Sequence, residues 1–419
     1  MSDLKNNFGN NDGNENDAAD IARIDIEKII ENSAQVNNSR EINDYEHPPV
    51  YEYDKNSGGE RRILRLDNSQ DSAEPLAENT TAQQDKLPEE KTAPEMKKKR
   101  SFLKQFIPLK GDTACEKVRK LVLTASIITM VLCVGILADK YAIEPIIESI
   151  HNNRISQMKT SENDTDVFSS YPNVDFPSGI NPAFAGLYAS NSDFAGWLKI
   201  SGLDIETAIV QAENNEKYLK RNFYGSESKY GCPFLDYRNG LLVLSRNTII
   251  YGHNMMTDDL IFGRLEEYTT IKGFKSAPII EFDTMYKDYK WKIFAVFITN
   301  ADKEHDNGYV FNYIFTNVRS DSDFEEYIEQ LDQRKLYTTG VDIKPSDKIL
   351  TLSTCSYEFH NARLVVVARM VRQGEEAYVN TSQAKMNPSP RYPQVWYDTY
   401  NGGKNPYSSY EKWTLDRFD

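Results

Sequence analysis

Ile349-Leu350-Thr351-Leu352-Ser353-Thr354-Cys355 alternates apolar and hydroxyl side chains, the two-residue period of a β-strand with one face in a core. Its last residue emerges near the rim of a sheet, because the polar segment Ser356 to Asn361 follows instead of more core. Arg363 then opens a second apolar run, so a hairpin between the two would bring a fixed cation beside the Cys355 sulfur. Short apolar runs punctuated by Gly, Asn, Asp and Pro lie at 196–200, 205–211, 241–244, 247–252, 278–282, 289–298, 348–353 and 363–369. One helix interrupts them. Ser322 with Glu325 reads as a capping box, and Phe324, Tyr327, Ile328 and Leu331 follow at helical spacing. Eight short strands with few helices predict a mainly β domain over residues 181–374, closed into an eight-stranded barrel that leaves no sheet edge free.

The chain has 419 residues and a formal net charge of -14, unevenly spread. Before residue 97 stand 22 acidic residues against 10 basic ones, whereas 97–120 holds 9 basic residues against Asp112 and Glu116. The negative balance argues against a nucleic-acid binder, which needs positive surface along the phosphates. Four scattered cysteines exclude a disulfide-stapled scaffold and a clustered zinc site. Residues 1–96 are polar and poor in aromatics, and are expected to form a disordered, acidic cytoplasmic tail. Within them Ile21, Ile24, Ile26, Ile29 and Ile30 offer either a transient helix or a docking segment for a cytoplasmic partner.

Leu121 to Ala138 is an uncharged run of 18 residues. As a helix at ~1.5 Å per residue it reaches about 27 Å, close to the ~30 Å hydrocarbon core of a bilayer. The basic segment 97–120 precedes it, while Asp139, Glu144 and Glu148 follow. The positive-inside rule then predicts a single-pass anchor over 121–138, with the N-terminus cytoplasmic and everything after 138 outside the cell membrane. Residues 139–180 read as an extracytoplasmic stalk, helical from Ala142 to Arg154. The segment 375–419, with Tyr378, Tyr392, Trp396, Tyr397 and Trp413, is too aromatic for a disordered tail. It is expected to pack on its own barrel, or else on a partner surface or cell-wall glycan.

A lone cysteine is most often an inert small hydrophobe. Cys355 departs from that pattern because a second reactive group sits at another strand end: His253 follows the apolar run Thr248-Ile249-Ile250-Tyr251-Gly252. Cysteine attacks as the thiolate, which an adjacent imidazolium or guanidinium favours. A guanidinium such as that of Arg363 also donates to the oxyanion that forms when a carbonyl is attacked. The rivals are weaker. His360 is a loop residue expected to face solvent, and Arg369 lies some 20 Å along the strand from Arg363 at ~3.3 Å per residue. Arg372 lies farther still. Cys232 is expected to be a buried free thiol. His47, His151 and His305 are read as lacking companion ligands, so no metal and no other cofactor is expected.

The motif TLSTC at 351–355, Arg363, the stretch IIYGHNM from Ile249, FLDYRN at 234–239 and the lead-in Asp193 to Ile200 together resemble class B sortases. The resemblance covers about residues 181–372 and implies a sortase-type barrel. It further implies a transpeptidase at the outer face of a Gram-positive membrane. In such an enzyme Cys355 would attack the Thr carbonyl of a sorting signal in a secreted protein and form a thioester. His253 would act as general acid and base, and Arg363 would hold the substrate and the oxyanion. Thr354, Ser353 and Asn254 are expected to line the substrate site. The acceptor would be an amine of the peptidoglycan cross-bridge, of a lipid precursor or of a pilin, with hydrolysis when no amine is present. The alternative is a catalytically silent barrel that binds a sorting peptide or pilin and adheres through its aromatic extension.

Overall fold

The computed structural model describes residues 106–163, 165–255 and 258–415. The readings for 1–96 and for the start of the basic segment, 97–105, lie outside the described residues. Helix α1, Ala114–Ala138, begins at a capping box. The Glu116 N–H donates to Thr113 Oγ1 at 3.3 Å and the Thr113 N–H to Glu116 Oε2 at 3.4 Å, which satisfies two of the N–H groups a helix start leaves unpaired. Leu121, Val122, Ile128, Val131, Leu132, Val134 and Ile136 project from it into open space. A helix apolar all round needs a protein core or lipid about it. Among the described residues the helical run Ala114–Gln157 is the one long and apolar enough to cross a membrane. A wide turn, Asp139–Ile143, leads into α2, Glu144–Gln157. Helix α2 buries Glu148 and Ile155, and its start is held by Lys229, whose Nζ lies 2.6 Å from Glu144 and donates to the Lys140 carbonyl at 2.9 Å.

After the short helix α3, Ala185–Ser190, come β1 Phe194–Ile200, β2 Ile205–Val210, β3 Phe234–Leu235 and β4 Asn247–Tyr251. Helix α4, Ile271–Ser276, precedes β5 Ile279–Thr284 and β6 Lys290–Asn300; helix α5, Asp321–Arg334, then leads to β7 Tyr337–Thr338, β8 Ile349–Ser356 and β9 Ala362–Met370. The chain ends with β10 Lys385–Met386, which pairs with β7, and α6 Gln394–Tyr400. Eight strands close into a barrel in the order β1-β2-β3-β4-β8-β9-β6-β5, as the sequence reading expected. The β2–β3 and β4–β8 pairs are parallel and the others antiparallel.

Alternation along each strand divides the core. Leu198, Ile250, Val296, Leu350, Leu352, Leu364 and Val366 fill one buried cluster with alternate side chains of the barrel strands. The opposite face of β6 and β9, with Phe297, Val365 and Val367, lies under Phe324, Tyr327 and Leu331 of α5. On the opposite face of β1 and β2, Trp197, Ala208 and Val210 are covered by Ile155, Phe184 and Leu187. Strands buried on both faces explain why β6 and β9 read as nearly continuous apolar runs.

Two local expectations are corrected. Residues 241–244 form a loop whose tip is open, with Leu242 and Val243 71% and 77% exposed. The eighth barrel strand is instead β3, two residues long and too short to show a period. The capping box of α5 is Ser320 with Asp323: the Asp323 N–H donates to Ser320 Oγ at 3.1 Å and the Ser320 N–H to Asp323 Oδ2 at 3.0 Å. Ser322 and Glu325 lie inside the helix, because the same spacing starts two residues earlier.

The aromatic extension packs on its own barrel. Trp413 is buried with its ring 5.8 Å from Phe311 and 5.9 Å from Tyr327, and Tyr309 donates its hydroxyl to the Trp413 carbonyl at 2.8 Å. Trp413→Ala is expected to lower unfolding stability by about 3 kcal/mol, through lost burial and the cavity left behind, as read by a urea titration of the soluble portion of the chain. An unchanged urea midpoint would mean that the extension is not part of the folded unit.

Candidate active site

Strands β4 and β8 run side by side in parallel, with Tyr251 abreast of Ser353. Two residues farther along each chain come His253 and Cys355, on the same face by the two-residue period. Hydrogen bonds carry the alignment past the end of β4. The Gly252 N–H donates to the Ser353 carbonyl at 3.2 Å, and Thr354 Oγ1 donates to the Gly252 carbonyl at 2.7 Å. On the other flank the antiparallel β8–β9 ladder pairs Cys355 directly with Arg363. The three residues singled out from the sequence are thus brought together.

The His253 ring is held from both sides. Its Nε2 lies 2.8 Å from the Leu219 carbonyl, and since a carbonyl only accepts, Nε2 carries a proton. That leaves Nδ1 as the nitrogen to serve the sulfur. Gly231 packs against the ring with φ +62°; a Cβ there would stand 3.1 Å from His253 Cδ2 and 2.5 Å from the Tyr218 carbonyl oxygen. The electrostatics are reciprocal. The hydrogen bond that protonated His253 makes to the Cys355 sulfur raises the imidazole pKa above its ordinary value, against the opposing effect of burial. The same bond lowers the Cys355 thiol below the ordinary cysteine value, against burial and with help from the Arg363 charge. Both directions favour a thiolate beside an imidazolium. Arg363 Nη1 donates to the Ala362 carbonyl at 3.0 Å, and its remaining N–H groups have no protein partner among the described residues.

Ser353, Thr354 and Asn254, expected to line the substrate site, are buried and hydrogen-bonded within the protein. Ser353 Oγ is 2.9 Å from the Tyr313 hydroxyl, and Thr354 holds Gly252 as described. Asn254 Nδ2 donates to the Cys355 carbonyl at 3.0 Å and to Glu266 Oε1 at 3.1 Å, so this side chain ties the histidine loop to the nucleophile strand. Glu266 was not visible as a site residue in the sequence. Burial, with the charge of Glu358 adding to it, pushes its carboxyl up to about 7, despite hydrogen bonds from Ser356 and Asn254. Tyr357, also missed, donates its hydroxyl to the Asn254 carbonyl at 2.6 Å.

The rival residues lie elsewhere. Arg369, level with Ile349, is buried and paired with Glu375 at 2.6 Å, and Arg372 is paired with Asp347 at 2.6 Å. Cys232 is free and buried, its thiol pushed up by burial. His360 is exposed. One reading is overturned: His305 does have companions, because Asp302 and His360 bring ligand atoms within 4.8 Å of its own.

The sortase domain family matches residues 198–371. Sortase B of Staphylococcus aureus is 32% identical over 195 residues, covering 46% of this chain and 76% of that protein. The chain belongs to the class B sortases. Sortase B of Listeria monocytogenes is 35% identical over 183 residues, covering 43% of this chain and 71% of that one. A solved structure of the S. aureus sortase B–substrate complex is 28% identical with a TM-score of 0.46, covering 55% of this chain and 99% of that one. Sortases are cysteine transpeptidases, and the matched region of this sortase runs from β1 through β9.

Alkylation of Cys355, followed by mass spectrometry of its peptide, is expected to rise at lower pH than for an ordinary cysteine. His253→Ala should move the profile to higher pH, since the largest interaction favouring the thiolate is then lost. Arg363→Ala should move it the same way but less. Identical profiles for the parent and His253→Ala would dissolve the pair. Gly231→Ala is expected to cost roughly 1–3 kcal/mol, for a left-handed backbone forced on a residue with a Cβ, and to disturb the same alkylation profile.

Proposed function

We propose that this sortase cleaves a sorting signal in secreted proteins and transfers the acyl group to an amine of the cell wall or of a pilin. The observation that carries the reading is the shared face of His253, Cys355 and Arg363, with the thiol lowered and the imidazole raised. In the first step the Cys355 thiolate attacks the Thr carbonyl of the signal. A bond forms from sulfur to carbon, the peptide C–N bond breaks, and His253 gives its proton to the departing amine. Arg363, with N–H groups to spare, faces the carbonyl oxygen as negative charge develops on it. In the second step neutral His253 takes a proton from the incoming amine, which attacks the thioester and releases the Cys355 thiolate. Water in place of the amine would give hydrolysis.

Helix α1 would be the single-pass anchor, oriented by the basic residues before it, with the barrel on the outer side of the membrane. A span joined to the barrel through α2 would keep the catalytic domain at the outer membrane surface, where exported substrates emerge.

A fluorogenic sorting-signal peptide incubated with the full chain in detergent tests this reading. Cleavage should disappear in Cys355→Ala and fall by about 10²–10³ in Arg363→Ala, the loss typical of removing one oxyanion donor. An added amine should divert product from the free acid to the amide. Cleavage that survives Cys355→Ala would sink the nucleophile assignment, and release of only the acid at every amine concentration would make the protein a protease.

A further inference from the structure

On the far side of the β8–β9 turn from Cys355, three side chains of metal-ligating type converge. Asp302 and His305 belong to the turn after β6, His305 within the helical turn Lys303–Asp306, and His360 lies in the β8–β9 hairpin loop. One ligand atom from each lies within 4.8 Å of the others. His305 Nδ1 is enclosed yet has no hydrogen-bond partner among the described residues; Asp302 Oδ2, 4.0 Å away, lies beyond hydrogen-bond reach. An enclosed ring nitrogen without a partner is unusual enough to require an explanation.

The surroundings fix two of the three groups. The His305 ring meets Phe359 edge-on with centroids 6.1 Å apart, and the His360 ring likewise at 5.9 Å. Asn361, in a left-handed conformation at φ +54°, donates from Nδ2 to Asp302 Oδ2 at 2.7 Å, the kind of outer contact that orients a ligating carboxylate. Asp302 and His305 are half-buried, while His360 is exposed and can swing inward.

We propose that Asp302, His305 and His360 form a binding site for a divalent transition-metal ion of the Zn²⁺ class. Two imidazoles and one carboxylate suit a borderline ion, whereas Ca²⁺ and Mg²⁺ require mostly oxygen ligands. Zn²⁺ takes nitrogen and oxygen ligands at about 2.0–2.2 Å, so the donor atoms must draw together on binding, with water completing four-coordination. Such an ion satisfies His305 Nδ1 and fastens the end of β6 to the hairpin that carries Cys355 and Arg363. The proposal stands on this cluster alone and does not depend on the peptide chemistry.

The test uses the untagged full chain in detergent carrying Cys355→Ala, so that the active-site thiolate cannot bind the metal. Equilibrium dialysis should find one equivalent of Zn²⁺, undisplaced by excess Ca²⁺, and Co²⁺ should give the visible bands of a four-coordinate site without a thiolate charge-transfer band. Adding His360→Ala should weaken Zn²⁺ binding at least tenfold and abolish the Co²⁺ spectrum. That side chain is exposed, so its loss should leave thermal unfolding in chelator unchanged. His305→Ala should do the same to the metal. No stoichiometric Zn²⁺ uptake, displacement by Ca²⁺, or uptake indifferent to both replacements would overturn the assignment.

Discussion

Strand register is the constraint on which the site depends. Cys355 has a histidine on one side because β8 runs parallel to β4, and an arginine on the other because it runs antiparallel to β9. A slip of one residue in either pairing would turn a reactive group to the opposite face of the barrel wall. The protein resists that slip with side chains as well as with the ladder. Thr351 donates to Asn247 Oδ1 at 2.7 Å near the start of the parallel pair, and Asn254 reaches across to the Cys355 carbonyl at its end. The apolar faces of β8 and β9 enforce the same answer, since a shift by one would turn Leu350, Leu352, Leu364 and Val366 out of the barrel-core cluster they fill.

Given that register, the electrostatics follow from what surrounds the sulfur. Burial alone would make Cys355 as inert as Cys232, whose thiol is pushed up by desolvation with no cation to oppose it. At Cys355 an imidazole and a guanidinium outweigh the same penalty. Glu266 lies behind this group, bonded to Asn254 rather than to the histidine. Burial raises its carboxyl to about 7, so near neutral pH it is partly protonated where it holds Asn254.

Much of this was legible in the sequence. The apolar runs located seven of the eight barrel strands, and Cys355 with Arg363 read as a hairpin pair because they are close in the chain. The neighbour that makes the cysteine reactive was harder to place. About a hundred residues separate His253 from Cys355, and nothing in local periodicity says that β4 and β8 are parallel neighbours; there the family resemblance supplied what spacing could not. Strand β3 left no periodic trace in two residues, and the apolar residues at 241–244 imitated a strand while standing in solvent. Asn254, Ser353 and Thr354 border the reactive groups in sequence, and only the hydrogen bonds reveal that they align strands. The companions of His305 were hidden for the same reason as His253: Asp302 is local, but His360 arrives from a different strand pair.

The aromatic extension acquires a purpose from the loop it touches. Residues 356–361 follow the nucleophile directly, and a loose loop there would let the end of β8 fray. Trp396 donates its indole N–H to Glu358 Oε1 at 3.0 Å, and Tyr400 donates its hydroxyl to the Glu358 carbonyl at 2.7 Å. Tyr357, one residue earlier, reaches the opposite way to the Asn254 carbonyl. The loop is therefore braced from the extension on one side and from the histidine segment on the other. Aromatic residues suit this task because each presents a large apolar body to the barrel and a single directed polar atom to the loop. Trp413, farther on, anchors the end of the same segment against α5, so the helix α6 that carries Trp396 and Tyr400 is bounded by attachment points before and after it. A tail rich in tyrosine and tryptophan suits such bracing, and its Trp396 and Tyr400 contacts fall on the turn that joins Cys355 to Arg363.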